Sequence, residues 1–411
     1  MKKEKIKSIL IIALVSLLLI ILTGCGTTKE KNEEIQSNQN NEQKKQEQEQ
    51  ESTTTQVAPF VKYKEATYFW KLSANSREST GLFAKYAYKT NNKNELVKLD
   101  NSGNETTILT EKGSGDICIS NDKIFLRYPE DEYGNIYKIY SVNMNGENKK
   151  EYQEGELKAS IKDFVICQNS SDGEIFEINA KTDEIVMLKE NANVLDVIDD
   201  VIYYYEEDSK TGILKVGTIK DNKDNGTIAT FSKKDLFEEA TDESMEIVEF
   251  GEQNGKLKIY IGYRAGTAHM LQDEYCFTMN KDGSNLEKQE VTSLEIVSED
   301  SQKLKGVYID VKEENGKYTN NLVYIDDSTK ERKEILTEKQ MNEKFKFTSD
   351  DEHTVELAES AIVENDIYVV LDYGVHNSEE DIGWRYSYKR LKTVCFKYNI
   401  DTKEITEIFE F

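Results

Sequence analysis

The side chains best suited to recognition chemistry form one run near the carboxyl terminus, Gly383-Trp384-Arg385-Tyr386, followed by Tyr388. Trp and Tyr offer rigid faces with a polar tip, and Arg a planar fork of donors, so these types dominate binding hot spots. His376, Arg264, His269, Tyr86 and Tyr88 fall in long polar insertions and complete the candidate binding set. Trp384 has a structural alternative, as a plug sealing the last unit of the fold against the first.

Catalytic constellations are scarce. The three histidines, His269, His353 and His376, show no zinc spacing, and no Gly-x-Ser-x-Gly elbow is present. An ordinary solvated imidazole is expected at each. Paired acids such as Asp350-Asp351 and Glu379-Glu380-Asp381 occur, but 78 acidic residues make such pairs inevitable. Glycoside hydrolysis needs two carboxylates at a defined separation, which a sequence does not display. Asp221-Asn222-Lys223-Asp224-Asn225-Gly226 begins like a calcium loop, yet Lys223 occupies a ligand position and the closing Glu is missing, so it reads as a turn. The expectation is a binding protein rather than an enzyme, with no metal and no cofactor.

Of the five cysteines, Cys118, Cys167, Cys276 and Cys395 each sit in a separate apolar strand pattern, where four reduced, buried thiols are expected. Cys25 is different. Lys2, Lys3, Lys5 and Lys7 precede a 14-residue apolar run from Ile9 to Leu22, broken only by Ser16. That is the layout of a secretory signal peptide, and the run is shorter than the roughly 20 residues that span a bilayer. Leu22-Thr23-Gly24-Cys25 resembles the lipobox of bacterial lipoproteins at every position. The resemblance implies cleavage before Cys25 and diacylglycerol on its sulfur, anchoring the chain to the extracytoplasmic face of the cell membrane. Two acyl chains make such an anchor stable.

Removing residues 1–24 takes away four Lys and one Glu, so the net charge of −25 becomes −28. A surface this acidic repels nucleic acid, and nucleic-acid binding is excluded. After Cys25, residues 26–58 read as a tether. Lys29 to Thr55 is almost wholly Lys, Glu, Gln, Asn, Ser and Thr, with Ile35 its one large apolar residue, too little to offset the chain entropy of folding. Folding is expected from Pro59 to Phe411.

The elements that position the candidate residues are strands: Tyr is abundant, Pro is limited to two, and β-branched residues alternate with polar ones. Helical periodicity is confined to Lys233–Glu243 and Glu334–Lys344. A repeat recurs in which a polar turn (Asn121-Asp122, Lys162-Asp163, Asp199-Asp200, Asn365-Asp366) leads into a strongly apolar strand (Ile124–Leu126, Phe164–Ile166, Val201–Tyr204, Ile367–Val370). A third strand then ends in an Asn/Asp-Gly turn, as at Ile139–Gly146 and Tyr275–Gly283, and a polar fourth strand closes the unit. Seven units follow, near 57–112, 115–155, 157–190, 193–232, 245–292, 294–337 and 355–411, about 50 residues each. The fold class is therefore all-β, a propeller of four-stranded blades, seven in number with six as the near alternative; two stacked sandwiches would be the other solution.

The turn, Ile-Tyr-Tyr, turn, Leu-Tyr-x-Ile-x-x-Asp-Gly rhythm, clearest at Val201–Tyr205 and Ile136–Gly146, resembles the propeller domains of unknown function, likened to low-density-lipoprotein-receptor propellers, in Gram-positive lipoproteins. That resemblance covers most of 59–411 and brings no catalytic residues with it. In a four-stranded meander the second-to-third loops and the inter-blade connections share one face. The long insertions are of this kind: 73–94, 263–273 and 374–391 within blades, 233–244 and 338–354 between them. One decorated face is expected to carry function, its partner an envelope protein or peptide. The alternative is a solute or glycan receptor that stacks sugar rings on Trp384 and the loop tyrosines. Cys25→Ala is expected to end fatty-acid labelling and release the chain from the membrane fraction; continued labelling would contradict the anchor.

Overall fold

The computed structural model describes residues 54–71, 79–80, 93–113, 115–129, 137–169, 171–208, 210–237, 245–265, 270–289, 306–314, 317–326, 331–348, 353–376 and 387–411. The expected signal peptide (1–24), Cys25 and the expected tether (26–58) as far as residue 53 lie outside these residues. One compact unit runs from Thr53 to Phe411. Two short strands, β1 (Thr54–Gln56) and β4 (Ser79–Thr80), stand apart from the regular blades.

The first blade is β2 (Phe60–Tyr63), β3 (Ala66–Lys71), β5 (Asn94–Asp100) and β6 (Glu105–Glu111). The second is β7 (Cys118–Ser120), β8 (Lys123–Pro129), β9 (Tyr137–Asn143) and β10 (Lys150–Glu154), and the third β11 (Glu156–Ile161), β12 (Phe164–Asn169), β13 (Glu174–Asn179) and β14 (Ile185–Lys189). The fourth is β15 (Asn193–Ile198), β16 (Val201–Asp208), β17 (Ile213–Lys220) and β18 (Lys223–Ser232). The fifth is β19 (Met245–Gln253), β20 (Lys256–Ala265), β21 (Met270–Met279) and β22 (Glu287–Gln289). The sixth shows β23 (Val307–Glu314), β24 (Lys317–Ile325) and β25 (Arg332–Leu336), the residues before Gly306 being outside the described set. The seventh is β26 (His353–Val363), β27 (Asp366–His376), β28 (Ser387–Asn399) and β29 (Ile405–Glu410). Every blade is an antiparallel meander in chain order, and the seven form a ring, a β-propeller. The sequence-derived units coincide with them, and the six-blade and sandwich alternatives fall away.

Turn chemistry explains the register. Asn121-Asp122, Asp199-Asp200 and Asp221-Asn222 each place two consecutive residues at φ between 49° and 60°, the left-handed pair that a two-residue hairpin needs. Asn and Asp tolerate that region because their short side chains bond locally. Asp221-Asn222 is thus a hairpin turn, as its failed calcium pattern implied.

The middle strands are apolar on both faces because each face packs on a different neighbour. In β8, Ile124 and Leu126 join Tyr68 and Trp70 of the first blade, while the intervening Phe125 joins Cys167 and Phe176 of the third. In β16, Tyr203 packs with Phe250 and Leu257 of the fifth blade, while Ile202 and Tyr204 join Ile166 and Ile175 of the third. The same rule closes the ring. Phe60, Phe69 and Val97 of the first blade share a cluster with Tyr368, Val370, Cys395 and Phe409 of the seventh. Phe60 stacks on Tyr368 at 5.0 Å between ring centroids, and the Tyr368 and Thr67 hydroxyls bond at 3.1 Å. Lys62 and Glu364 pair across the same seam.

The four described cysteines are free and buried in four different blades, as expected. Burial pushes the Cys118 thiol up to about 12, and the Cys167 and Cys395 thiols rise for the same reason. Two helices fall where periodicity placed them, α1 (Lys233–Leu236) and α2 (Glu338–Phe345). Thr337 and Gln340 form a capping box for α2, which buries Met341 and Phe345. Phe69 is wholly buried at the seam, so Phe69→Ala is expected to cost about 3–5 kcal/mol in urea titrations. Trimming the exposed Leu391 is expected to change stability by less than about 0.5 kcal/mol; equal effects would contradict closure through this cluster.

Candidate functional site

Two middle hairpins outgrow the rest. β20 and β21 are 10 residues each and β27 and β28 are 11 and 13, against 6 and 6 for β12 and β13. Both extend on the side of the second-to-third loops, the side expected to be decorated. There β4, from the insertion of the first blade, pairs antiparallel with the start of β28, Ser387 opposite Thr80 and Tyr388 opposite Ser79. A strand from the first blade's insertion thus adds to the sheet of the last blade across the seam.

This arrangement brings some candidate residues together and separates others. His376 and Tyr388 are cross-strand partners at the open end of the seventh blade, and Tyr388 also faces Ser79 in register. Arg264 lies at the end of β20 opposite Leu271, on the fifth blade. Trp384, Arg385, Tyr386, His269, Tyr86 and Tyr88 lie outside the described residues.

Just inside the paired strands lies a polar row that the sequence reading did not single out. Glu356 of β26 pairs in register with Asp372 of β27, which pairs with Thr393 of β28. Tyr368 and Val370 precede Asp372 at alternate positions and pack toward the first blade, which puts the row on that face. Asp372 is only 3% exposed. Its Oδ1 accepts a 2.5 Å hydrogen bond from the Thr393 hydroxyl, and Arg390 Nη1 stands 3.9 Å from Oδ2. The Arg390 guanidinium lies 5.9 Å from the Phe411 ring, whose backbone is hydrogen-bonded both ways to Thr393. Glu356 itself is exposed to solvent. Partial desolvation of its carboxyl by the surrounding chain, and secondarily the Asp372 charge, raises it above its ordinary range. The row thus sets a buried, hydrogen-bonded carboxyl beside an exposed one that keeps its proton to higher pH than usual. The available signal was an acid inside the apolar run Ile367–Tyr373, a place where an unpaired charge is costly.

The opposite face of the same strands is aromatic. Tyr373 stacks on Phe347 at 4.7 Å and on His353 at 5.3 Å, and its hydroxyl accepts from the Thr348 amide at 3.0 Å. Lys392 donates to the Phe345 carbonyl at 2.9 Å and pairs with Glu410 at 2.9 Å. His353, expected as a solvated side chain, is instead half-buried on Tyr373. The turn between β25 and β26 is what brings α2 and its trailing Phe347 over that ring. Among the described residues, no group of three or more His, Cys, Asp or Glu is placed to hold a metal ion.

No protein-family model matches the chain, and no curated protein matches it. Solved structures do. The β-propeller domain of the trilobed protease from Pyrococcus furiosus is 13% identical with a TM-score of 0.41, over 86% of this chain and 97% of that one. The polysaccharide lyase Uly1 is 10% identical with a TM-score of 0.44, over 84% and 90%. The acylaminoacyl peptidase of Pyrococcus horikoshii is 13% identical with a TM-score of 0.39, over 86% of this chain and 52% of that one. The expectation that the chain is not an enzyme is corrected here: its structural neighbours include peptidases and a lyase, so a propeller of this kind is no ground for excluding catalysis. At these identities the likeness extends to the fold, and no reaction comes with it.

Because its pKa is raised, the Glu356 carboxyl favours the folded state at low pH, and that contribution is lost as pH rises through its folded pKa. Glu356→Gln removes the loss. Its stability relative to the parent, from urea midpoints, is expected to increase between about pH 4 and about pH 7. An unchanged difference would contradict a raised Glu356 carboxyl.

Proposed function

We propose that this chain is a lipid-anchored extracytoplasmic propeller whose decorated face binds a protein or peptide of the cell envelope. The observation that carries the reading is the sheet shared by β4 and β28. It joins the insertions of the first and last blades into one platform, beside the end of the hairpin that leads into Trp384, Arg385 and Tyr386. A rigid ring presenting irregular loops on one side is a common basis for recognition. The residue types of the Trp384-Arg385-Tyr386 run, aromatic rings and a guanidinium, would supply contact area with a polar handle.

The anchor part of the reading rests on the signal-peptide layout and on Leu22-Thr23-Gly24-Cys25. It agrees with the resemblance of the repeats to propeller domains of Gram-positive lipoproteins. The strongly acidic mature chain favours a partner with a basic surface, since opposite potentials speed and orient docking.

In-cell photo-crosslinking from Tyr388, compared between the parent and a variant carrying Trp384→Ala, Arg385→Ala and Tyr386→Ala, tests the proposal. A partner captured by the parent and reduced at least tenfold in the variant is the expected result. Equal capture would remove this cluster from the binding face. Quenching of tryptophan fluorescence by oligosaccharides, lost in Trp384→Ala, would replace the protein partner with a glycan.

A further inference from the structure

The first described strand does not belong to the blade that follows it. β1 pairs antiparallel with β11, the innermost strand of the third blade, with Thr54 opposite Ile161, Thr55 opposite Ser160 and Gln56 opposite Ala159. It lies on the inner edge of that blade, in the central channel. The Thr54 hydroxyl donates to Asp200 Oδ1 at 2.7 Å, reaching the first turn of the fourth blade. Ala58 then makes a two-way backbone bridge to Ile117 beside β7 of the second blade, at 3.2 and 2.9 Å. The chain next reverses at Pro59 and enters β2. Thr54, Val57, Ala58 and Pro59 line one side of a channel cavity of about 640 Å³, with Ser360, Ala361 and Ile362 of β26 among its other walls.

The direction of this segment is fixed by its register. β11 begins at the inter-blade connection, on the decorated face, and ends at the Lys162-Asp163 turn on the opposite face. Thr54 is paired at the turn end, and Asp200 belongs to a turn of that same face. Residues 54 to 58 therefore run through the channel from the tight-turn face toward the decorated face, a path of about 16 Å at 3.3 Å per residue.

We infer that the tether leaves the propeller through the tight-turn mouth of the channel, so that this face is turned to the bilayer and the decorated face is turned away from it. The inference rests on lipid anchoring at Cys25. Between Cys25 and Thr54 there are 28 residues, numbers 26–53. A flexible chain of that length has an r.m.s. reach of about 30 Å. A folded body of this size has a radius of gyration of about 20 Å. Leading the tether from the channel mouth around the rim, to set the decorated face on the lipid, would take more than that reach. The anchored geometry with the lowest chain-entropy cost leaves the long hairpins of the fifth and seventh blades directed outward.

Energy transfer tests this on the full lipidated chain in phosphatidylcholine–phosphatidylglycerol vesicles carrying a rhodamine lipid. A donor dye is placed by Lys181→Cys or Ser102→Cys on exposed turns of the tight-turn face, or by Lys339→Cys or Glu343→Cys on the exposed side of α2. The four native thiols are buried and do not compete for dye. Transfer several-fold stronger from Lys181→Cys and Ser102→Cys than from the α2 positions is expected. Equal or reversed transfer, with the protein still floating with the vesicles, overturns the orientation alone. Failure of the unlabelled parent to float overturns the anchor and the orientation together.

Discussion

Everything in this molecule depends on each middle strand satisfying two neighbours at once. A blade that offers apolar groups from both faces has no solvent-facing side to retreat to, so it is stable only between two others. The ring is the solution in which every blade has both neighbours, and its weakest point is where the two ends of the chain meet. Here the ends do not exchange a strand: the first and seventh blades are each built from consecutive strands. Closure falls to the aromatic cluster of Phe60, Phe69, Tyr368 and Phe409, with the Thr67–Tyr368 hydroxyl pair among them. One backbone device supplements it, β4 on β28 at the decorated face.

That economy explains why the candidate site lies where it does. At the seam an insertion from the first blade adds a short strand to the sheet of the last, so the proposed binding face adjoins the closure of the ring. The buried Asp372–Thr393 pair sits directly below, among groups that close the ring. A charge in that position is tolerable because a hydroxyl and a guanidinium face it. Partial desolvation, and secondarily the Asp372 charge, raises the exposed Glu356 carboxyl beside it.

The blade count was legible because the turns are chemically explicit. Asn121-Asp122 and Asp199-Asp200 both take left-handed backbone, and both mark the first-to-second turn of a blade. The buried state of the four cysteines was legible for a related reason: each stands among apolar neighbours in a strand. What the sequence concealed was everything set by pairing between distant segments. Nothing about Ser79-Thr80 announces a partner 308 positions away at Ser387-Tyr388. Thr54–Gln56 is polar enough to read as tether, yet its backbone is taken up by the inner edge of the third blade. Asp372 was visible as an acid in an apolar run, but its partners Thr393 and Glu356 come from register, which composition does not encode. His353 looked like a surface imidazole because the aromatic ring that covers it arrives from a different strand.

The central claim is that the first and last blades are joined at the decorated face into one rigid platform. Amide hydrogen exchange across β4 and the start of β28 addresses it most directly. Protection at Ser79–Thr80 and Ser387–Tyr388 comparable to that of the seam strands β3 and β27 is the result this account predicts. Exchange of those amides at the rate of free loops, with the seam strands still protected, would contradict it.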